Sequence, residues 1–492
     1  MNELELKFQV PATAAPALRA ELRRRGARVV HLAAIYYDTA DFTLARAGLA
    51  LRMRQEGPRF VQTLKAKGRN LVERFEHNVP LRGSRKAPPA MRVDRHEASP
   101  AGAALRAALD RCDSPRLAAR YATDVRRLKC DLKLPGAVVE AAFDEGTITA
   151  GPRSVPVREL ELELKSGDVG ALCALAAEWS TYGGLWLDTR SKSARGFQLA
   201  HDAPAGAPAK ATRPDVQKTM DGAAFLRAVV RATLDQVLGN TSEIAAGSGG
   251  EEHVHQARVG LRRLRTALRE LADLDPGLDG AHWEGPLARV FAQLGVARDA
   301  VTAARAARPL LEHAQAPKVQ WDAQEEADPV AAVRDAAFQR VLIELLAYGL
   351  QDPVVETVSV SPATLRANLS KRLAKLHKRV ARAARDFEGL SFEAQHKTRK
   401  RLKRLRYLAE FAAPIFHAKQ VAGFLVCLEP AQDALGEHVD IATAMQKFRA
   451  DAAGDTQALF AAGYLEAHLA DTARSAQVAL KKVARAQPFW DR

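Results

Sequence analysis

The sequence predicts an α+β chain of two domains: an antiparallel β-sheet or barrel, then duplicated all-α helical bundles. Three observations carry this. Residues 1 to about 200 hold repeated period-two segments with one charged and one apolar side, later residues change to the 3.6 period of helices, and two later stretches match each other without a gap. The expected division is 1–200, a linker over 201–217, and a helical domain over 218–492.

At 492 residues the chain has room for two cores, and 47% hydrophobic residues make it globular rather than disordered. A formal net charge of +15 implies a polyanionic partner: nucleic acid, acidic membrane or polyphosphate. Cys112, Cys130, Cys173 and Cys427 lie far apart, which suggests neither a disulfide framework nor a zinc site and points to a reducing compartment. The chain opens on charged residues and has no apolar run of about 20, so neither a secretory signal nor a membrane span is expected. A cytoplasmic location follows as the expectation.

The elements come in order. Glu3-Leu4-Glu5-Leu6-Lys7-Phe8 alternates strictly, which puts Glu3 and Glu5 on one strand face. Ala14 to Gly26 predicts a helix, with its arginines on a solvated side. Strands follow: Leu49 to Arg54 pairs Arg52 with Arg54, Phe60 to Lys67 adds Lys65, and Val72 to Val79 pairs Arg74 with Glu76. Asp124 to Leu134 places Arg127, rather than Arg126, with the other charges of its strand; Val138 to Asp144 adds Glu140 and Asp144. Val157 to Lys165 again alternates, with Glu159, Glu161 and Glu163 on one face and leucines on the other.

An open sheet with a wet side is the plain reading of such strands. A closed barrel is the alternative, with charged faces inward and apolar faces covered by helices at Leu105 to Leu109 and Leu172 to Trp179. The mixture of signs favours a site. Neighbouring carboxylates repel unless cations sit between them, and metal-assisted phosphoryl transfer needs acids for the metal and bases for the phosphoryl oxygens. No Walker loop is present.

Glu3-x-Glu5-x-Lys7, Leu51-Arg52-Met53-Arg54, Lys65 and Glu159-Leu-Glu161-Leu-Glu163-Leu-Lys165 together resemble the CYTH domain, the triphosphate tunnel metalloenzyme fold. The resemblance implies an eight-stranded antiparallel barrel that hydrolyses or cyclises triphosphates. It implies Mg²⁺ or Mn²⁺ held by Glu3, Glu5, Asp144, Glu161 and Glu163, with Glu3, Glu5, Lys7, Glu161 and Glu163 as the catalytic set. Lys7, Arg52, Arg54, Lys65, Arg74, Arg127, Lys165 and Lys192 would grip the phosphate chain, Lys192 from a loop, while Glu159 is read as solvated charge. Tripolyphosphate is the expected substrate. A nucleotide or thiamine triphosphatase, an adenylyl cyclase and a non-catalytic polyphosphate-binding scaffold are the alternatives.

His201 to Asp215 carries three prolines among alanine and glycine and reads as a linker. Beyond it, His255-x-x-Arg258-x-x-x-Arg262-Arg263-x-Arg265 aligns with His396-x-x-Arg399-x-x-x-Lys403-Arg404-x-Arg406. Each motif sets its histidine and cations along one helix stripe, and Lys371, Lys375 and Lys378 make a further basic row. Like charges at this spacing repel, so a polyanion is the natural partner. Few aromatics interleave and no nucleic-acid-binding signature occurs, so sequence-specific nucleic acid is not expected. This half resembles the CHAD domain. That implies long-chain polyphosphate as partner, an association with polyphosphate granules, and His255, Arg258, Arg262, Arg265, His396, Arg399, Lys403 and Arg406 as the groove.

Overall fold

The computed structural model describes residues 2–68, 71–84, 87–112, 115–316, 328–351, 360–452 and 455–491, without the side chains of Asn2, Lys67, Arg74 and 296–301. The chain forms two compact units. The first is Met1–Lys210 with Leu234–Ala257 and Pro329–Gln351; the second is Ala211–Thr233 with Arg258–Asp328 and Asp352–Arg492.

The strands of the first unit are β1 Asn2–Gln9, β2 Arg28–Asp38, β3 Leu49–Glu56, β4 Arg59–Lys67, β5 Glu73–Leu81, β6 Ala118–Leu134, β7 Ala137–Ala150, β8 Arg153–Gly167 and β9 Trp186–Leu187. They pair antiparallel in the order β5-β4-β3-β2-β6-β7-β8-β1-β9. One edge of β1 is shared: Asn2, Glu3 and Leu4 pair with Phe75, Arg74 and Glu73 of β5, while Phe8 and Gln9 pair with β9. The β5 pairing brings eight strands back on themselves, and β9 is a short addition outside that ring.

The first helices are α1 Ala15–Arg24, α2 Thr43–Arg46, α3 Pro100–Leu109, α4 Val169–Trp179 and α5 Lys192–Ala200. Strand alternation turns Leu49, Leu51 and Leu64 outward, where they bury with Leu44 of α2 and Ala101, Leu105 and Ala108 of α3. Each such leucine contributes about 1.5–3 kcal/mol through burial. α4 supplies the fully buried Leu172 and Trp179.

The inward side is not charged throughout. Leu32, Val125, Ile148 and Val157 cluster with Leu199, and Ala34, Tyr36, Tyr121 and Ala150 cluster with Phe197. Phe197 and Leu199 belong to α5, which fills part of the lumen. Gly196 permits this, since a Cβ there would lie 2.2 Å from the Tyr121 ring.

The remaining helices are α6 Gly222–Ala245, α7 Glu251–Leu271, α8 Glu284–His313, α9 Pro329–Val333, α10 Ala336–Leu350, α11 Pro362–Ala383, α12 Phe392–Ala412, α13 Ala418–Asp451 and α14 Thr456–Arg485. The unit division falls within α6 and α7. Within the first unit, the proline-rich segment is held by side chains: Glu243 accepts from Gly206 N at 3.0 Å, and Asn240 exchanges two hydrogen bonds with Ala209.

In the second unit, Ser361 before Pro362 and Ser391 cap α11 and α12. The leucine stripe of α7 is core, with Leu261, Leu264 and Leu271 fully buried, as are Leu402, Leu405 and Leu408 of α12. Repeat-equivalent arginines pin α7 to α12 reciprocally: Arg263 pairs with Glu410, and Arg404 lies 3.5 Å from Glu270. Among the described residues, no helix is long and apolar enough to cross a membrane.

Candidate active site and anion-binding cleft

The ring encloses a cavity of about 550 Å³. Glu3, Glu5 and Lys7 enter it from β1, Arg52 and Arg54 from β3, Lys65 from β4, Glu76 from β5, Arg127 and Lys129 from β6, Glu140 and Asp144 from β7, and Glu161, Glu163 and Lys165 from β8. Period-two alternation delivers them, because every second residue of each strand faces the lumen. Arg127 lines the cavity whereas Arg126 is exposed outside, as strand parity predicts.

The charges fall into linked groups. Lys192 Nζ lies 2.8 Å from Asp144, 2.8 Å from Glu159 and 2.7 Å from Glu161. Arg127 forks onto both oxygens of Asp144 at 2.7 Å and also pairs with Glu161. Asp144 and Glu159 are wholly inaccessible to solvent, a costly place for a carboxylate without such partners. Burial opposes ionisation of Glu161, yet Lys192 and Arg127 overcome it and hold the carboxyl well below its usual range. Those carboxylates in turn hold Lys192 well above the usual lysine range, against the opposing effect of burial.

A second group joins β1, β4 and β5. Lys65 bridges Glu3, at 3.2 Å, and Glu76, and Arg52 approaches Glu76 at 3.7 Å. Burial pushes Glu3 up to about 7; Lys65 pulls it down, while Glu76 and Glu163 add to the rise. Glu76 is driven the other way, because Lys65 and Arg52 outweigh its burial. Between the groups, Glu140, Glu163 and Glu5 stand directly opposite one another across β7, β8 and β1. Lys129 and Lys165 relieve that row, at 2.8 Å from Glu140 and 3.0 Å from Glu163.

Arg52, Arg54 and Arg127 crowd together. Burial first, then Arg52 and Arg127, lower the Arg54 pKa although Glu56 pairs with it. Among the described residues, no three His, Cys, Asp or Glu side chains gather into a ready metal-binding group.

The second unit crowds cations more sharply. Lys403 of α12 faces Arg262 and Arg258 of α7, Arg399 of its own helix and Asp440 of α13. Burial and those arginines lower its pKa to about 6. Arg399 lies 3.4 Å from Asp440, Arg265 lies 2.6 Å from Glu284, and Arg406 lies 2.8 Å from Glu410. No described carboxylate lies within ion-pair reach of Arg262 or Lys403, which hold the same position of the two repeats. His255 and His396 are half-buried on their helices.

Residues 1–197 match the CYTH domain and residues 228–449 the CHAD domain. The chain is a CYTH domain followed by a CHAD domain. An inorganic triphosphatase of Haemophilus influenzae is 29% identical to it over 211 residues, 40% of this chain and 55% of that protein, so the chain spans about half the length of this relative. Among solved structures, the CHAD domain of the plant Ricinus communis is similar over 58% of this chain and 99% of that one, at 24% identity and a TM-score of 0.45. A putative adenylyl cyclase from Hippeastrum, described as having a dominant triphosphatase activity, is similar over 40% and 95%, at 16% identity and a TM-score of 0.28.

Sequence reasoning and structure differ at particular residues of this CYTH–CHAD chain. Glu159 is buried in the Lys192 group rather than solvated, and Arg195 also pairs with it. Lys192 begins a helix capped by Ser191 instead of sitting in a loop. The Arg74 side chain lies outside the described residues, while Glu76 on the same strand face is part of the wall. In the CHAD domain, Lys371, Lys375 and Lys378 are exposed along α11. Phe291 and Asp440, which touch the basic row, lie on other helices and outside its spacing.

Proposed function

We propose that the CYTH tunnel hydrolyses an inorganic triphosphate, releasing diphosphate and phosphate from tripolyphosphate, and that the CHAD domain binds long-chain polyphosphate. The observation that carries the first part is the crowding of Arg52, Arg54 and Arg127 on a wall faced by carboxylates. A phosphate chain set among them satisfies guanidinium donors and relieves their mutual repulsion.

Among the described residues, nine carboxylates and eight cationic side chains line the cavity, so a multiply charged anion gains little net attraction unless it enters with cations of its own. Among the described residues the lining offers oxygen donors and no histidine or cysteine, which suits a hard divalent cation such as Mg²⁺ or Mn²⁺. Glu3, Glu5 and Glu163 would hold it, joined by Glu161 and Asp144 as Lys192 and Arg127 turn to substrate. When bound, such a cation polarises phosphoryl oxygens and offsets charge. Arg52, Arg54, Arg127, Lys65 and Lys7 orient the phosphate chain and stabilise charge on its equatorial oxygens, together with Lys165 and Lys192. The apolar layer around α5 keeps water from one part of the lumen.

The test is phosphate release from tripolyphosphate with Mg²⁺ or Mn²⁺, compared with ATP and thiamine triphosphate. Arg52→Met lowers kcat/KM by about a hundredfold or more, on the scale of losing one transition-state donor, and Glu5→Gln abolishes turnover at the Mg²⁺ or Mn²⁺ concentration that saturates wild type. Wild-type protein that binds these anions without releasing phosphate is a scaffold instead. Production of cyclic AMP from ATP makes it a cyclase.

The polyphosphate reading is supported by Arg262 and Lys403, basic side chains that face each other with no described carboxylate within ion-pair reach of either.

A further inference from the structure

The stretch matched as the CHAD domain begins at residue 228, yet Leu234–Ala257, which carries the last turns of α6, belongs to the first compact unit together with the strands. Two side chains of that segment grip the chain on either side of Lys192. Ser242, fully buried, accepts a hydrogen bond from Thr189 N at 3.0 Å, and its hydroxyl lies 3.1 Å from that of Thr189. Glu243, nearly as buried, accepts from Arg190 at 3.3 Å and from Gln198 Nε2 of α5 at 2.9 Å.

The same groups also reach Lys192 through a carboxylate it faces. Arg190 forks onto both oxygens of Asp188 at 2.9 Å. Asp188 accepts from Gln9 of β1 at 2.9 Å, and Gln9 donates to Glu159 at 3.0 Å. Glu159 in turn lies 2.8 Å from Lys192. The run Glu243–Arg190–Asp188–Gln9–Glu159–Lys192 is thus continuous, and its three carboxylates are almost wholly out of water. Buried carboxylates persist where charged or N–H donors satisfy them, so each link fixes the next. A lysine ammonium sits on a long flexible stem. Its ion pairs set where it rests among carboxylates, but not where it stands once it turns to a phosphate. That position depends on the backbone around Lys192, and part of the hold on this backbone comes from α6.

We propose that Ser242 and Glu243 are positioning residues for triphosphate hydrolysis: from outside the CYTH-matched residues they fix the segment that delivers Lys192 to the lumen. The tunnel is then catalytically incomplete without the end of α6. This rests on the triphosphatase reading above, with Lys192 among its substrate-binding groups.

The experiment measures kcat and KM for tripolyphosphate with saturating Mg²⁺ on the full chain, with thermal melting as the fold control. Glu243→Gln keeps the shape and removes the charge that holds Arg190; Ser242→Ala removes the hydroxyl that meets Thr189. In each, kcat falls about tenfold, within the roughly hundredfold that a misplaced group can cost, while KM changes little and the protein stays folded at the assay temperature. In a Lys192→Met background, itself slower, the same substitutions cost little further, because no ammonium is left to place. Lys192→Gln supplies that background if Lys192→Met does not fold. Losses that persist undiminished without Lys192 overturn the proposal, as does a lowered melting temperature with kcat unchanged, since α6 would then only stabilise the fold. Wild-type protein that releases no phosphate overturns the triphosphatase reading, and this inference with it, before any variant is made.

Discussion

Lys192 in the tunnel has three carboxylates within 2.8 Å, whereas Lys403 in the helical domain is faced by three arginines and one aspartate. Both are largely removed from water, and burial alone would disfavour the charge on either. Their neighbours then send them in opposite directions, Lys192 well above the ordinary range and Lys403 down to about 6. The tunnel is therefore a self-neutralised network that an anion enters by exchanging partners. In the helical domain Arg262 and Lys403 instead face each other with no described carboxylate within ion-pair reach of either.

The largest expected contrast comes from removing divalent cations. A chelator takes triphosphate hydrolysis to background, because the near-balanced lining lacks the net charge to hold the substrate alone. Retention of polyphosphate by the helical domain persists in the same sample. Loss of both activities together, read by phosphate release and by co-sedimentation with polyphosphate, would break the distinction between the two regions.

A smaller but still large effect belongs to Lys192. Lys192→Met leaves Asp144, Glu159 and Glu161 sharing only Arg127 and Arg195 among the cations described at these distances. Breaking a buried pair by removing one partner costs about 3–5 kcal/mol. Denaturant unfolding of the metal-free protein at neutral pH reads this, and added Mg²⁺ should recover part of it by neutralising the abandoned carboxylates. A variant as stable as wild type would mean that these ion pairs contribute little to holding α5 in the lumen.

How far the sequence reaches differs between the regions for a physical reason. Alternation is local, so the inward set Glu3, Glu5, Lys7, Arg52, Arg54, Arg127, Glu161 and Glu163 is legible from single strands. Meetings between strands are not. Glu159 has the same parity as Glu161, but its burial depends on Lys192 and Arg195 arriving from α5, more than 30 residues later. The apolar half of the lumen is hidden similarly, since Leu32 and Val125 alternate no differently from outward residues until α5 covers them. In the helical half, the histidine–arginine stripes are visible because helix spacing is also local. Phe291 lies on a different helix, so its contact with Arg262 cannot be read from the spacing of the stripe.

The finest test of the contrast is proton linkage at Lys403. The groups facing it are Arg258 and Arg262 from α7, Arg399 from α12 and Asp440 from α13. With a pKa of about 6, the lysine is mainly neutral at pH 7 in the free protein. A bound phosphate oxygen favours the ammonium form, so binding takes up a proton and affinity weakens as pH rises from about 6 toward the ordinary lysine range. The slope is at most one proton, about tenfold in affinity per pH unit. Stability of the free protein runs the other way: the unfolded chain binds the proton more tightly, so this group's cost is present in full below about 6 and is relieved as pH rises. Calorimetry in buffers of different ionisation enthalpy measures the uptake, and Lys403→Met abolishes it. Lys403→Arg keeps the charge at all pH values and should bind without uptake from this position. If wild type takes up no proton at pH 7 to 8, Lys403 is already charged in the free cleft, and the contrast with Lys192 reduces to one of pairing rather than of protonation.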